Sequence, residues 1–320
     1  MATGSFEVAS GLWICEGAGL GLRNIARSLA LNGVSGLRLN ELALALRSNV
    51  PTATNVVVVA MHETLSRNAD QLHAQLDWVA KHFTIITPDL FAKALETKTR
   101  TWPERKPPVL LTFDDGRESN YRIAAPLLES YGARGIFFVV PKFIGLEGDA
   151  AKDFYYSRID IRAGTARQAK SNSGEDEIWQ PMTPEQLSDL ARRGHWVGAH
   201  TRSHTRLLNL SAQELQREIN ESACQIRLWT GKPVNSFAWA YSWDAIDRAS
   251  WEAIKRVHRF CFSPCPGTVD PFTDSPFLIW RKEIESYYSA AEYRFMYSGL
   301  VDLFWATKRK ELRKLLGDGG

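Results

Sequence analysis

Seven short apolar or β-branched runs, separated by longer stretches of helical periodicity, limit what this chain can fold into more than any other feature. The runs are 56–61 (VVVVAM), 109–113 (VLLTF), 135–140 (GIFFVV), 195–199 (HWVGA), 236–240 (SFAWA), 259–263 (RFCFS) and 277–284 (PFLIWRKE). Repeated strand–helix units of this kind build a mainly parallel sheet, and the pattern predicts an α/β barrel. Helix starts are legible between the runs. Thr183-Pro184-Glu185-Gln186 and Ser211-Ala212-Gln213-Glu214 read as capping boxes, the first with proline at the first helical position. Gly132, Gly194 and Gly231 follow helical stretches where a left-handed terminal residue is expected.

Composition narrows the class. The 320 residues hold 39 Lys plus Arg against 36 Asp plus Glu, and a net charge of +3 gives no argument for nucleic acid or another polyanion. Four cysteines, Cys15, Cys224, Cys261 and Cys265, are too few for a disulfide framework and fit a reducing compartment. The first basic residue is Arg23, after Glu7 and Glu16, so a signal peptide's positive start is missing. No apolar run approaches the ~20 residues that span a bilayer. A cytoplasmic location is expected, at most peripheral to the inner membrane face.

Three regions are expected. Residues 1–50 lack a convincing strand and read as a helical appendage, with one or two helices around Leu20 to Leu46. There Leu20, Leu22, Ile25 and Leu29 beside Arg23 and Arg27 suit either a membrane surface or packing on a barrel. Residues 51–288 form the barrel, and 289–320 a C-terminal helix. The polar, poorly periodic stretch from Phe143 to Gln180 follows a strand's C-terminal end and reads as a substrate loop or lid.

Two segments carry chemistry. In Leu110 to Gly116 (LLTFDDG) an apolar strand ends abruptly in two carboxylates and a glycine. Neighbouring like charges are costly to bury, but side chains adjacent at a strand end point apart, so one can bind a cation while the other acts on something beside it. The same turn could instead cap the helix that begins near Ser119. In Gly198 to His204 (GAHTRSH), His200 and His204 stand four apart just after a strand, a spacing at which two imidazoles can meet one ion. Asp115, His200 and His204 together make a two-histidine, one-carboxylate set on one predicted rim.

At these residues the chain resembles the polysaccharide deacetylases with the NodB homology domain, carbohydrate esterase family 4. TFDDG at 112–116 is similar to the family's first motif, HTRSH at 200–204 to its second, and MHE at 61–63 to an opening Tyr-His pair. The resemblance covers roughly 55–285 and implies a distorted (β/α) barrel of seven or eight strands. It implies that Asp115, His200 and His204 hold one divalent metal ion, zinc first, with cobalt, nickel or manganese also suited to the donors. It implies Asp114 as general base in a metal-dependent hydrolase that removes the acetyl group from an N-acetylated sugar: a polysaccharide, a glycolipid or a nucleotide-linked precursor. Phe237 to Ser242 (FAWAYS) looks like a degenerate third motif, with the Tyr241 N–H as oxyanion donor. The chain departs from the family at Ala238, where an arginine usually braces the base, and no histidine follows His258 to supply the acid. Arg281 is expected to restore the brace, or else to form a surface salt bridge with Glu283 or Glu285. His62, at the end of the first strand of the predicted barrel, is expected to act as the acid; otherwise Asp114 returns its own proton. Alternatives are a hydrolase of the same fold acting on a small formamide or cyclic amide, or an inactive carbohydrate-binding barrel. Oligomeric state is not legible.

Overall fold

A computed structural model describes residues 55–100, 102, 106–161 and 176–318, together with the backbone of 7–9 and 12–14. Strands β1 (Glu7–Ala9) and β2 (Leu12–Ile14) form an antiparallel pair where no strand was expected. The helices expected between Leu20 and Leu46, and their amphipathic face, lie outside the described residues.

The barrel is built from β3 (Val57–Met61), β5 (Pro108–Phe113), β6 (Ile136–Val139), β7 (Trp196–Ala199), β8 (Ser236–Ala238), β9 (Phe260–Ser263), β10 (Ile279–Trp280) and β11 (Lys282–Glu283). All pair in parallel with their neighbours, in the order β10-β9-β8-β7-β6-β5-β3-β11. The short strand β4 (Thr84–Ile85) pairs with β5 off this path, and two residues are too few to leave a periodic signal.

All seven predicted runs are strands, and the last one closes the barrel by splitting. Ile279 and Trp280 pair with Phe262 and Ser263 of β9, while Lys282 and Glu283 pair with Val59 and Ala60 of β3. Arg281 sits at the changeover. Because the strands are parallel, Met61, Phe113, Ala199 and Ala238 all end at one rim, and the residues that follow them converge there.

Packing explains why the apolar runs are unbroken. Val57, Val58 and Val59 of β3, Leu110 of β5 and Phe137 of β6 are fully buried, so both faces of these strands are covered. Burying each such side chain contributes about 1.5–3 kcal/mol. At Gly198 in β7 an added Cβ would lie 2.5 Å from the Phe138 ring, so the approach of β6 and β7 requires glycine. The capping boxes at Thr183 and Ser211 both form, and Gly231 ends its helix at φ 65°.

Two outer segments differ from expectation. The stretch after β6 carries helical turns over Gly148–Phe154 and Tyr155–Ile159. Phe143, Ala151, Tyr155 and Ile178 gather there with Leu65 in a separate small apolar cluster. The single expected C-terminal helix is three: Ala290–Ser298, Leu300–Phe304 and Ala306–Leu316, broken at Gly299 (φ 86°) and again at Trp305. Among the described residues no helix is long and apolar enough to cross a membrane. Cys224, Cys261 and Cys265 are free thiols.

Candidate active site

The rim above β3, β5, β7 and β8 surrounds a cleft of about 910 Å³ lined by His62, Asp114, Asp115, His200, His204, Tyr241 and Arg281. Backbone strain concentrates on it. Four of the six non-glycine residues with left-handed φ among the described residues are Asp115 (73°), Thr201 (60°), His204 (53°) and Tyr241 (70°). Such conformations cost of order 1–3 kcal/mol each and persist where the surroundings enforce them. At the end of β5 the enforcement is visible. The chain turns through Asp115 and Gly116 (φ 82°), and a Cβ on Gly116 would meet Ile144 at 2.8 Å.

Asp115 and the two histidines form one cluster. The Asp115 Oδ1 atom lies 3.7 Å from His200 Nε2 and 3.6 Å from His204 Nε2. All three residues are buried. The Nδ1 atom of His200 is 2.7 Å from the Ala238 carbonyl oxygen, and that of His204 is 2.6 Å from the Arg158 carbonyl oxygen. A carbonyl only accepts, so both Nδ1 atoms carry hydrogen and both Nε2 atoms face Asp115. Burial pushes the His204 imidazole down to about 4, partly offset by Asp115, so it is neutral near pH 7. The Arg117 guanidinium donates to Asp115 Oδ2 at 3.2 Å, leaving Oδ1 buried without a hydrogen-bond partner. An orphaned carboxylate oxygen facing two imidazole Nε2 atoms fits a divalent cation, and the nitrogen and oxygen donors suit zinc or a neighbouring transition metal.

Asp114 is held differently. Arg281 Nη1 donates to Oδ1 at 2.7 Å and Nη2 to Oδ2 at 2.8 Å, a two-pronged contact, and Nη1 also reaches Thr112 Oγ1 at 3.1 Å. Arg281 is 2% exposed, so the surface salt bridge to Glu283 or Glu285 does not form. Burial alone would raise the Asp114 carboxyl, but Arg281 above all, with the nearby imidazoles, holds it below the usual carboxylate range. Its Oδ2 atom lies 3.9 Å from His62 Nε2 and 4.0 Å from His200 Nε2.

His62 follows β3 and is gripped by Glu285. The carboxylate takes His62 Nδ1–H at 2.6 Å and the main-chain N–H groups of His62 and Glu63, each at 3.1 Å. Burial pushes this imidazole down, but Glu285 outweighs it and, with Asp115 and Glu283, raises it to about 10. His62 is therefore a cation at neutral pH with Nε2 turned toward Asp114.

Tyr241 packs its ring on His204 at 4.6 Å between centroids, and its hydroxyl bridges the carbonyl oxygens of Arg158 (2.7 Å) and His204 (2.9 Å). Among the described residues no main-chain carbonyl accepts the Tyr241 N–H. Three features escaped the sequence. Glu285 is 223 residues from His62. Arg117 follows the acidic turn directly, and its charge there was a usable signal. The Arg158 carbonyl makes the expected lid a structural support for His204, which corrects the reading of 143–180 as substrate contact alone. Ile159, Asp160 and Ile161 of that segment do line the cleft. Of the remaining histidines, His195 is structural: it accepts from Gly135 N–H and meets Glu129 at 2.8 Å.

Residues 102–258 match the polysaccharide deacetylase family model, and that part of the chain belongs to this family of hydrolases acting on non-peptide carbon–nitrogen bonds. The chain is also similar to YxkH, a candidate polysaccharide deacetylase of Bacillus subtilis (strain 168), at 28% identity over 114 residues. That match covers 36% of this chain and 29% of the relative's length. Among solved structures, IcaB from Ammonifex degensii superposes with a TM-score of 0.57 at 18% identity, covering 77% of this chain and 96% of that one. The BpsB deacetylase domain from Bordetella bronchiseptica gives 0.53 at 21% identity, covering 73% and 97%. At these identities the likeness is one of fold.

Proposed function

We propose that this chain is a metal-dependent deacetylase that hydrolyses the N-acetyl group of an N-acetylated sugar, with the catalytic unit spanning 51–288. The observation that carries the reading is Asp115 Oδ1, buried without a hydrogen-bond partner between two imidazole Nε2 atoms, beside an Asp114 fixed by Arg281. Asp115, His200 and His204 would hold the ion, zinc being the first candidate. When bound, it would supply Lewis acidity to the amide carbonyl and to the attacking water.

The protein's own groups do the rest. Asp114 accepts the water's proton at Oδ2, and Arg281 keeps that oxygen ionised and aimed. His62 carries a proton at Nε2 for the departing amine, because Glu285 holds Nδ1–H and with it the ring's orientation. The Tyr241 N–H donates to the developing oxyanion, where such a donor typically contributes about 2.7–4 kcal/mol. Trp239, Trp243 and Tyr287 line the cleft and suit the apolar faces of sugar rings.

The test is acetate release from a panel of N-acetylated mono- and oligosaccharides, free and lipid-linked, against small formamides and cyclic amides, after loading with zinc, cobalt, nickel or manganese. Turnover confined to the small amides would replace the sugar reading. Sugar binding without turnover under every metal would leave an inactive binding barrel.

A further inference from the structure

Of the seven large apolar residues that are well exposed among the described residues, two line the cleft and two directly precede a residue that lines it. Ile161 and Tyr287, each about half exposed, line it. Leu303 (73% exposed) and Phe304 (60%) directly precede Trp305, which also lines it. Soluble proteins seldom group exposed apolar side chains this way without a partner for them.

The helix that follows, Ala306–Leu316 (ATKRKELRKLL), carries five basic residues and one acidic. Its inward side is already used, since Leu312 and Leu316 are fully buried. Three acidic groups on and against this helix are paired: Glu311 with Lys308 at 2.9 Å, Asp302 with Lys282 at 2.8 Å, and Asp274 with Arg313 at 2.6 Å. Lys310 and Lys314 are exposed and have no ion-pair partner among the described residues. The surface is thus an apolar tip flanked by uncompensated positive charge.

We propose that this surface docks on an anionic lipid bilayer, with Leu303 and Phe304 entering the headgroup boundary and Lys310 and Lys314 meeting the anionic headgroups. Charge complementarity decides the occupant. A two-fold contact with a second copy would bring the basic flank near its own image, whereas an anionic bilayer meets both the apolar tip and the lysines. Docking sets the cleft mouth at headgroup level, where the sugar of a lipid-linked N-acetylated substrate would lie. This choice of substrate rests on the deacetylase reading; the docking does not.

The test is flotation of the full-length chain with phosphatidylcholine vesicles, with and without phosphatidylglycerol, at low and high salt, alongside turnover of a small soluble acetylated amine. Binding should require phosphatidylglycerol and fall with salt. A Leu303→Ser/Phe304→Ser variant and, separately, a Lys310→Glu/Lys314→Glu variant should each bind about tenfold more weakly or worse, with soluble turnover unchanged. Absence of vesicle binding by the wild-type chain, or binding that ignores both lipid charge and these substitutions, would overturn the proposal. So would a dimer in light scattering that the Leu303→Ser/Phe304→Ser change dissolves. Vesicle binding that needs phosphatidylglycerol, with no hydrolysis of any substrate, would support the docking and sink the deacetylase reading instead.

Discussion

Arg281 holds both oxygens of Asp114, at 2.7 and 2.8 Å, across 167 residues of sequence. The guanidinium reaches the end of β5 because the last strand changes partners at that residue, from β9 to β3. Closing the barrel and bracing the carboxylate are therefore one structural event.

Arg281→Met should lower kcat by roughly 30- to 1,000-fold, the loss of about 2–4 kcal/mol of charge-assisted stabilisation, with metal content unchanged. Without the guanidinium, burial raises the Asp114 carboxyl. A base must be ionised, so the acidic limb of kcat/KM should move to higher pH. Leaving Asp114 buried and unpaired should also destabilise the fold by about 3–5 kcal/mol, read as a lower Tm. Arg281→Lys should recover part of each, since it keeps the charge and lacks the fork. An unmoved acidic limb in Arg281→Met would separate Arg281 from the chemistry.

His62→Ala should cost roughly 100- to 10,000-fold in kcat if this ring protonates the leaving amine. Glu285→Gln tests the same group through its partner. Glu285 is the main influence raising His62 to about 10, so its neutralisation should move the basic limb of the pH–rate profile to lower pH. An acid must be protonated to act, which sets that sign. A better leaving group should lessen the defect of His62→Ala; equal defects on good and poor leaving groups would count against the acid role.

Elemental analysis should find about one divalent ion per chain, removable by chelation with reversible loss of turnover. His200→Ala and His204→Ala should each lower metal content. Asp114→Asn should retain the ion and lose most turnover, because its side chain is committed to Arg281. Full occupancy in the double histidine variant would place the ion elsewhere.

Tyr241→Phe removes a hydroxyl that ties the Arg158 and His204 carbonyls together, and should weaken metal affinity about tenfold while leaving the main-chain oxyanion donor in place. Deleting 147–176 would remove the Arg158 carbonyl from His204 and should depress metal binding as well as turnover. Deleting only 162–175 should spare metal content, and should impair a sugar substrate more than a small acetylated amine. Metal affinity identical to wild type in both Tyr241→Phe and the longer deletion would show that neither contact supports His204.

What the sequence determined by itself was local. Unbroken apolar runs marked seven strands, because strands covered on both faces need no polar alternation. TFDDG and HTRSH marked the acidic turn and the histidine pair, because chemistry of this kind demands particular side chains close together in the chain. Arg281 was expected, through the family resemblance, either to brace Asp114 or to pair on the surface, and only its burial where the last strand changes partners decides for Asp114. Tertiary structure alone decided the partners. Glu285 reaches His62 across the barrel's closing strand, where sequence separation carries no trace of proximity. The Arg158 carbonyl orients His204, and a main-chain acceptor has no residue signature at all. The helix breaks at Gly299 and Trp305 left a glycine as their only sign. They carry Trp305 and Lys308 into the cleft wall, since a straight helix from 290 to 316 could not turn back to the rim.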